Sequence, residues 1–115
     1  MSSVVIKSID KLGLHRAVDA YAERLLSDHP EIEEIVIFGS FAKGTYAPGS
    51  DVDVFILLRR SDKRVRDRIP DFLPGAFPVG VDVFPYTKEE VLALAGSPIL
   101  VEVQASPWRY RRPVP

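Results

Sequence analysis

Three carboxylates and a glycine-led turn hold most of the chemistry this sequence has to offer. Between two apolar runs the chain reads Gly39-Ser40, then residues 41–50, then Asp51-Val52-Asp53, and a third acid, Asp82, stands in a later apolar run. Successive side chains of a strand point to opposite faces, so Asp51 and Asp53 share one face while Val52, Val54, Ile56 and Leu58 line the other. Two acids on one strand and a third on its neighbour can hold divalent magnesium, a hard ion that takes oxygen ligands and shares them with substrate phosphates. Two such ions would activate an attacking hydroxyl and neutralise a leaving pyrophosphate. Gly39, lacking a Cβ, lets the backbone approach a phosphate, and the Ser40 hydroxyl and nearby amides can bond to it. Lys43 adds a positive charge on the same loop and Ser50 closes it, so Gly39, Ser40, Lys43 and Ser50 form the expected nucleotide-binding set. Taken singly, each residue has a plainer account: Gly39 and Gly44 as turn formers, Ser50 and Asp51 as a strand entry, Asp82 as the partner of a lysine or arginine. That account leaves the convergence of all of them on one sheet face unexplained.

The elements that must position these residues follow from hydrophobic patterning. Residues 35–38 are apolar without alternation, which predicts a strand covered on both faces, and residues 51–58 form the next strand. The connection between them is too short for a crossover helix, so the two pair antiparallel. Residues 59–77 are long enough to hold one, with Val65, Ile69, Phe72 and Leu73 at helical spacing before Pro74-Gly75. A third strand over 79–84 then lies parallel to the second, reached by a right-handed crossover. There Val79, Val81 and Val83 share one face and Gly80, Asp82 and Phe84 the other. Asp82 is thus an acid inside an apolar strand, a costly placement whose remedies are a partner, a raised pKa or a metal.

The flanking segments read as support. Leu14, Val18, Tyr21 and Leu25 make one apolar face of a helix over 12–28, capped by Ser8 or Asp10 and stopped before Pro30. Val4-Val5-Ile6 reads as an edge strand or a surface arm. Thr87-Lys88-Glu89-Glu90 has the form of a capping box and starts a helix that ends near Gly96. Beyond it Pro98 leaves 99–103 open, strand by propensity or helix by the fit of proline in a first turn. The tail over 107–113 is expected to add a short last strand. His15 and His29, with no third ligand spaced to join them, read as surface histidines.

Composition narrows the classes. At 115 residues the chain is expected to be a single domain, residues 1–115, with a core of two layers and little left to enclose a substrate. The formal net charge of −1 argues against a general nucleic-acid coat. The absence of cysteine excludes disulfides, thiolate catalysis and zinc–thiolate sites, and fits a cytoplasmic protein. No segment has the uninterrupted apolar length to span a bilayer, so no membrane association is expected. Arg59, Arg60, Lys63, Arg64, Arg66 and Arg68 are interleaved with Asp62 and Asp67 and read as a solvated helix face. Trp108 and Tyr110 between arginines suit base stacking or strand packing equally.

Gly39-Ser40, the ten-residue spacing and Asp51-Val52-Asp53 together resemble the signature of the nucleotidyltransferase superfamily typified by DNA polymerase beta. The short length and the Thr87-Lys88-Glu89-Glu90 segment look like its minimal nucleotidyltransferase (MNT) branch. The resemblance implies an α/β (α+β) fold, a small mixed sheet backed by helices. It implies magnesium-dependent transfer of a nucleoside monophosphate, AMP from ATP being the expected case, with Asp51, Asp53 and Asp82 as metal-binding acids and Asp82 helping to deprotonate the acceptor hydroxyl. Members often carry arginine at the positions of Phe41 and Lys43, so Phe41 departs from the most basic pattern and leaves the phosphate grip to Lys43. The resemblance further implies a small helical partner of the HEPN type, the chain acting as the antitoxin of a toxin–antitoxin pair that adenylylates its partner. A module that neutralises such a partner by docking alone is one alternative. An aminoglycoside-type small-molecule transferase is another, ranked last because larger members of that kind carry extra substrate-binding helices. A homo-oligomer is compatible with all three.

Overall fold

The computed structural model describes residues 11–112. The run Val4-Val5-Ile6 and the caps Ser8 and Asp10 lie outside the described residues. The elements follow in the order α1 (Lys11–Asp28), β1 (Ile32–Phe38), α2 (Ser40–Lys43), β2 (Val52–Leu58), α3 (Val65–Phe72), β3 (Val81–Thr87), α4 (Lys88–Ala93), α5 (Pro98–Ala105) and β4 (Arg109–Arg111). They build one four-stranded mixed sheet of order β3-β2-β1-β4. β1 is antiparallel to β2 and β4, while β2 and β3 run parallel, as the connection lengths require. The fold class expected from the sequence is the one observed.

Both sheet faces are covered. Val52, Val54, Ile56 and Leu58 join Ile35 and Ile37 in a cluster closed by Leu14, Val18, Tyr21 and Leu25 of α1 and by Phe72 of α3. On the opposite face Val36, Phe38 and Phe55 pack against Leu100 and Val103 of α5. The alternation of β2 therefore places Asp53 on the α5 side. Among the described residues no helix is long and apolar enough to cross a membrane.

Several boundaries differ from the sequence reading, each for a physical reason. β1 begins at Ile32 rather than 35, because Glu33 and Glu34 are strand residues whose charges are met from neighbouring elements. Glu34 takes Arg109 at 3.1 Å and Arg111 at 2.7 Å, and Glu33 lies 3.1 Å from Lys88. β3 starts at Val81 and runs on through Pro85 to Thr87. It is an edge strand, where a residue without an N–H is tolerated. Residues 99–103 are helical, with Pro98 in the first turn, and Arg109–Arg111 is the short last strand. The Thr87 capping box forms: Glu90 N donates to the Thr87 hydroxyl at 3.2 Å and Thr87 N donates to Glu90 Oε1 at 2.8 Å.

The histidines and tail aromatics are used within the fold. His15 stacks on Trp108 with centroids 4.6 Å apart, and His29 meets Phe72 edge-on. Trp108 Nε1 donates to the Tyr110 hydroxyl at 2.8 Å, and that hydroxyl donates in turn to Asp19. Strand packing, not base stacking, accounts for both rings.

Arg59, Arg60, Lys63, Arg64 and Arg66 of the basic run are exposed, as a solvated face requires, and Arg68 is the exception. It is 3% exposed, and its guanidinium makes a two-pronged pair with Glu90 at 2.7 and 2.9 Å. It also donates to the carbonyls of Pro85 and Lys63 at 3.0 and 2.9 Å. It thereby ties α3 to the end of β3 and the start of α4. The Arg68 guanidinium, first, and the Thr87 amide hold the Glu90 carboxyl down at about 2 against an ordinary 4.5. A depressed carboxylate pKa gives stability that is present above pH 4.5 and is lost as pH falls toward 2. Arg68→Met is expected to cost roughly 1–2 kcal/mol at neutral pH, because Glu90, about a third exposed, loses a charge-assisted pair that water replaces in part, and the buried Pro85 carbonyl loses its donor. Urea unfolding as a function of pH checks this: the gap between the two proteins should narrow between pH 4.5 and 2.

Candidate active site

The parallel register aligns Asp53 of β2 with Asp82 of β3, and the antiparallel register aligns Asp53 with Phe38, the last residue of β1. The chain leaving β1 must therefore turn over Asp53, and the residue that makes the turn is Gly39. Its backbone, at φ 77° and ψ −152°, lies in a region that essentially only glycine occupies. A Cβ built there would stand 2.3 Å from Asp53 Oδ2. The need for glycine is thus set by the Asp53 carboxylate, a reason within the protein and additional to the close phosphate approach expected from the sequence.

A second glycine does the same for Asp51. A Cβ on Gly80 would lie 2.2 Å from Asp51 Oδ1, and the Gly80 carbonyl accepts the Val52 amide at 2.9 Å. Sequence reading placed Gly80 on the face of Asp82 and gave it no role. The pairing of Gly80 with the residue after Asp51 exists only once β2 and β3 are in register.

Asp82 is exposed rather than enclosed in its strand, so the desolvation argument made for it falls away: at the edge, the end of β3 opens to solvent. The perturbed acid is Asp53. Partial burial raises its pKa, and the charges of Asp82, Asp51 and Glu102 raise it further. The structure thus brings all three expected acids to one end of adjacent strands. Among the described residues, however, no three histidine or acidic side chains stand within joint reach of one metal ion. Like charges without a counter-ion repel, and the sequence pattern, which fixes strands and faces, does not fix rotamers. The donor set is all oxygen, and the negative potential at Asp53 is one that a hard divalent cation relieves. By donor chemistry Asp51, Asp53 and Asp82 would suit magnesium, and side-chain rotation would be needed to bring the three onto one ion.

The loop residues have separate fates. Lys43 is exposed and pairs with Glu102 of α5 at 3.2 Å. Ser40 opens α2, and its carbonyl accepts the Thr45 amide at 3.0 Å. The Ser50 hydroxyl accepts the Ala47 amide at 3.0 Å, which closes the turn leading into Asp51. Phe41 is buried and stacks on Tyr46 with centroids 4.3 Å apart, so the departure from a basic residue there anchors the loop to the core. A cavity of about 270 Å³ opens between α2 and α5, lined by Gly39, Ala42 and Lys43 on one side and Val101, Glu102 and Ala105 on the other. Glu102 is a fourth acid that sequence reading missed. It lies in the segment whose helix-or-strand alternatives stayed open, and only the helix turns it toward Lys43 and Asp53.

Residues 18–104 match the sequence profile of the nucleotidyltransferase domain, a span that contains the turn, all four acids and both glycines. Among solved structures the chain is similar to a crystal structure from Sulfolobus solfataricus described as a "putative nucleotidyltransferase". The identity is 26% and the TM-score 0.57, over 72% of this chain and 75% of that one. A comparison with curated proteins finds no match.

Proposed function

This chain belongs to the nucleotidyltransferase domain family, and from that premise we propose that it transfers AMP from ATP, with magnesium, to a hydroxyl on a partner protein. The observation that carries the reading is the placement of Asp53, in register with Asp82 on the next strand and directly beneath a turn that requires glycine at position 39, where burial first and then the charges of Asp82, Asp51 and Glu102 raise its pKa. Asp51, Asp53 and Asp82 would hold magnesium, which would supply the charge neutralisation that a triphosphate and a departing pyrophosphate need. The chain's own residues bind and orient. Lys43 and the Gly39-Ser40 backbone hold the terminal phosphates, and the exposed Asp82 takes the proton of the incoming hydroxyl. The acceptor oxygen bonds to the α-phosphorus, the bridge to the β-phosphate breaks, and pyrophosphate leaves.

Positioning the acceptor supplies much of the rate, and the described residues offer only shallow walls for it. A helical partner of the HEPN type would provide both acceptor and wall, this chain being its antitoxin. Trp108 and Tyr110 are engaged with α1, which leaves α5, with Val101 55% exposed, as the docking element. The test incubates the complex with ATP and magnesium and maps the partner by mass spectrometry. An AMP adduct on a tyrosine, serine or threonine is expected. A partner that binds, is never modified and is still neutralised by Asp51 and Asp53 variants would establish docking alone as the function.

A further inference from the structure

Lys43 and Glu102, both lining the α2–α5 cavity, form an ion pair, with Nζ 3.2 Å from Oε1 and side chains 61% and 44% exposed. An exposed pair of this kind contributes little to stability, too little to explain as a staple of the fold. Lys43 is also the cation on the turn that begins at Gly39, and its backbone amide bonds to the Gly39 carbonyl at 3.1 Å. Glu102 is close enough to Asp53 to repel its charge. Neither carboxylate has a structural need of the other, and both crowd the space where a polyanion would arrive.

We propose that Glu102 is a built-in competitor for Lys43, a carboxylate that occupies the phosphate-binding lysine until a nucleoside triphosphate displaces it. The proposal rests on the nucleotidyltransferase reading of this site and adds a residue that tunes its affinity. On triphosphate arrival the Lys43 ammonium exchanges one oxyanion partner for another of higher charge, while Glu102 swings into solvent. The weak pair makes that exchange easy, and the charge of Glu102 sets a threshold against ligands with fewer phosphates.

The test is calorimetric titration with the non-hydrolysable analogue α,β-methylene-ATP in magnesium, applied to the wild type, Glu102→Gln, Lys43→Met and the double variant. Glu102→Gln is expected to tighten binding about threefold, in keeping with the size of an exposed pair, Lys43→Met to weaken it, and Glu102→Gln to bring almost no gain once Lys43 is gone. An equal gain in both backgrounds would reduce Glu102 to general charge repulsion and overturn the competitor role. So would wild-type affinity in Glu102→Gln while the wild type itself binds the analogue, with the nucleotide reading left standing. No binding by any of the four proteins, all shown folded by circular dichroism, would overturn both readings together.

Discussion

Asp53→Asn should lower nucleotidyl transfer by at least about a hundredfold, the scale of losing one preorganised charge-stabilising group, and should at the same time raise the melting temperature. The two effects have one origin. Asp53 is half-buried and held among Asp82, Asp51 and Glu102, so its charged form is disfavoured in the folded protein. A carboxyl whose folded pKa lies above its unfolded value makes the fold most stable below the unfolded value of 3.8, and that stability is lost as pH rises through the folded value. Asparagine has nearly the same shape and no charge to lose. The two proteins should therefore melt alike below pH 3.8, and the variant should melt higher at neutral pH. Magnesium should stabilise the wild type and leave the variant unmoved, since only a folded state that binds the ion gains from it. Thermal melts across pH, with and without magnesium, alongside the transfer assay, separate these effects. A variant that melts lower than the wild type at neutral pH would show that Asp53 is held by favourable bonds rather than crowded by like charges.

How much of this was legible beforehand depended on whether the signal was local. The alternation of β2 gave the faces of Asp51 and Asp53 because a period of two is a property of consecutive residues. The capping box at Thr87 was legible for the same reason, with both reciprocal bonds spanning three residues. Arg68 was not. Its environment is made by Glu90 and by the Pro85 carbonyl, both distant in the chain, and a basic run interleaved with acids has the same composition whether or not one member turns inward. The strand expected over 79–84 runs on to Thr87, and only strand order reveals that β3 is an edge that accommodates Pro85. Asp82 was rightly placed beside Asp53, yet its exposure depends on that same edge position. Glu102 and Gly80 became visible only through pairings between elements, Glu102 across α2 and α5 and Gly80 across the β2–β3 register.

Gly39 and Gly80 allow the sharpest separation of fold from site, because each makes room for one of the proposed metal-binding carboxylates and only Gly39 is conformationally trapped. Gly39→Ala faces two penalties. Its φ of 77° with ψ −152° disfavours any side chain by about 1–3 kcal/mol, and the added carbon would sit 2.3 Å from Asp53 Oδ2. Asp53 is anchored in the middle of the sheet between Phe38 and Asp82, so relief must come from the turn lifting away or the carboxylate rotating out. Either movement takes the backbone proposed to bind phosphate and the Asp53 carboxylate out of their shared position. Loss of both triphosphate binding and transfer is expected, with a measurable fall in stability. Gly80→Ala has no positive φ to oppose it. Its Cβ meets Asp51 Oδ1 at 2.2 Å and Cγ at 2.9 Å, atoms of an exposed side chain that precedes β2 and is free to swing. Its stability should stay within about 0.5 kcal/mol of wild type, while displacement of Asp51 weakens magnesium binding and slows transfer. Urea unfolding, magnesium titration and the transfer assay on both variants decide the matter. Full activity in Gly80→Ala would mean that the Asp51 carboxylate works from a rotamer other than the one Gly80 accommodates, and would move the metal-binding role onto Asp53 and Asp82.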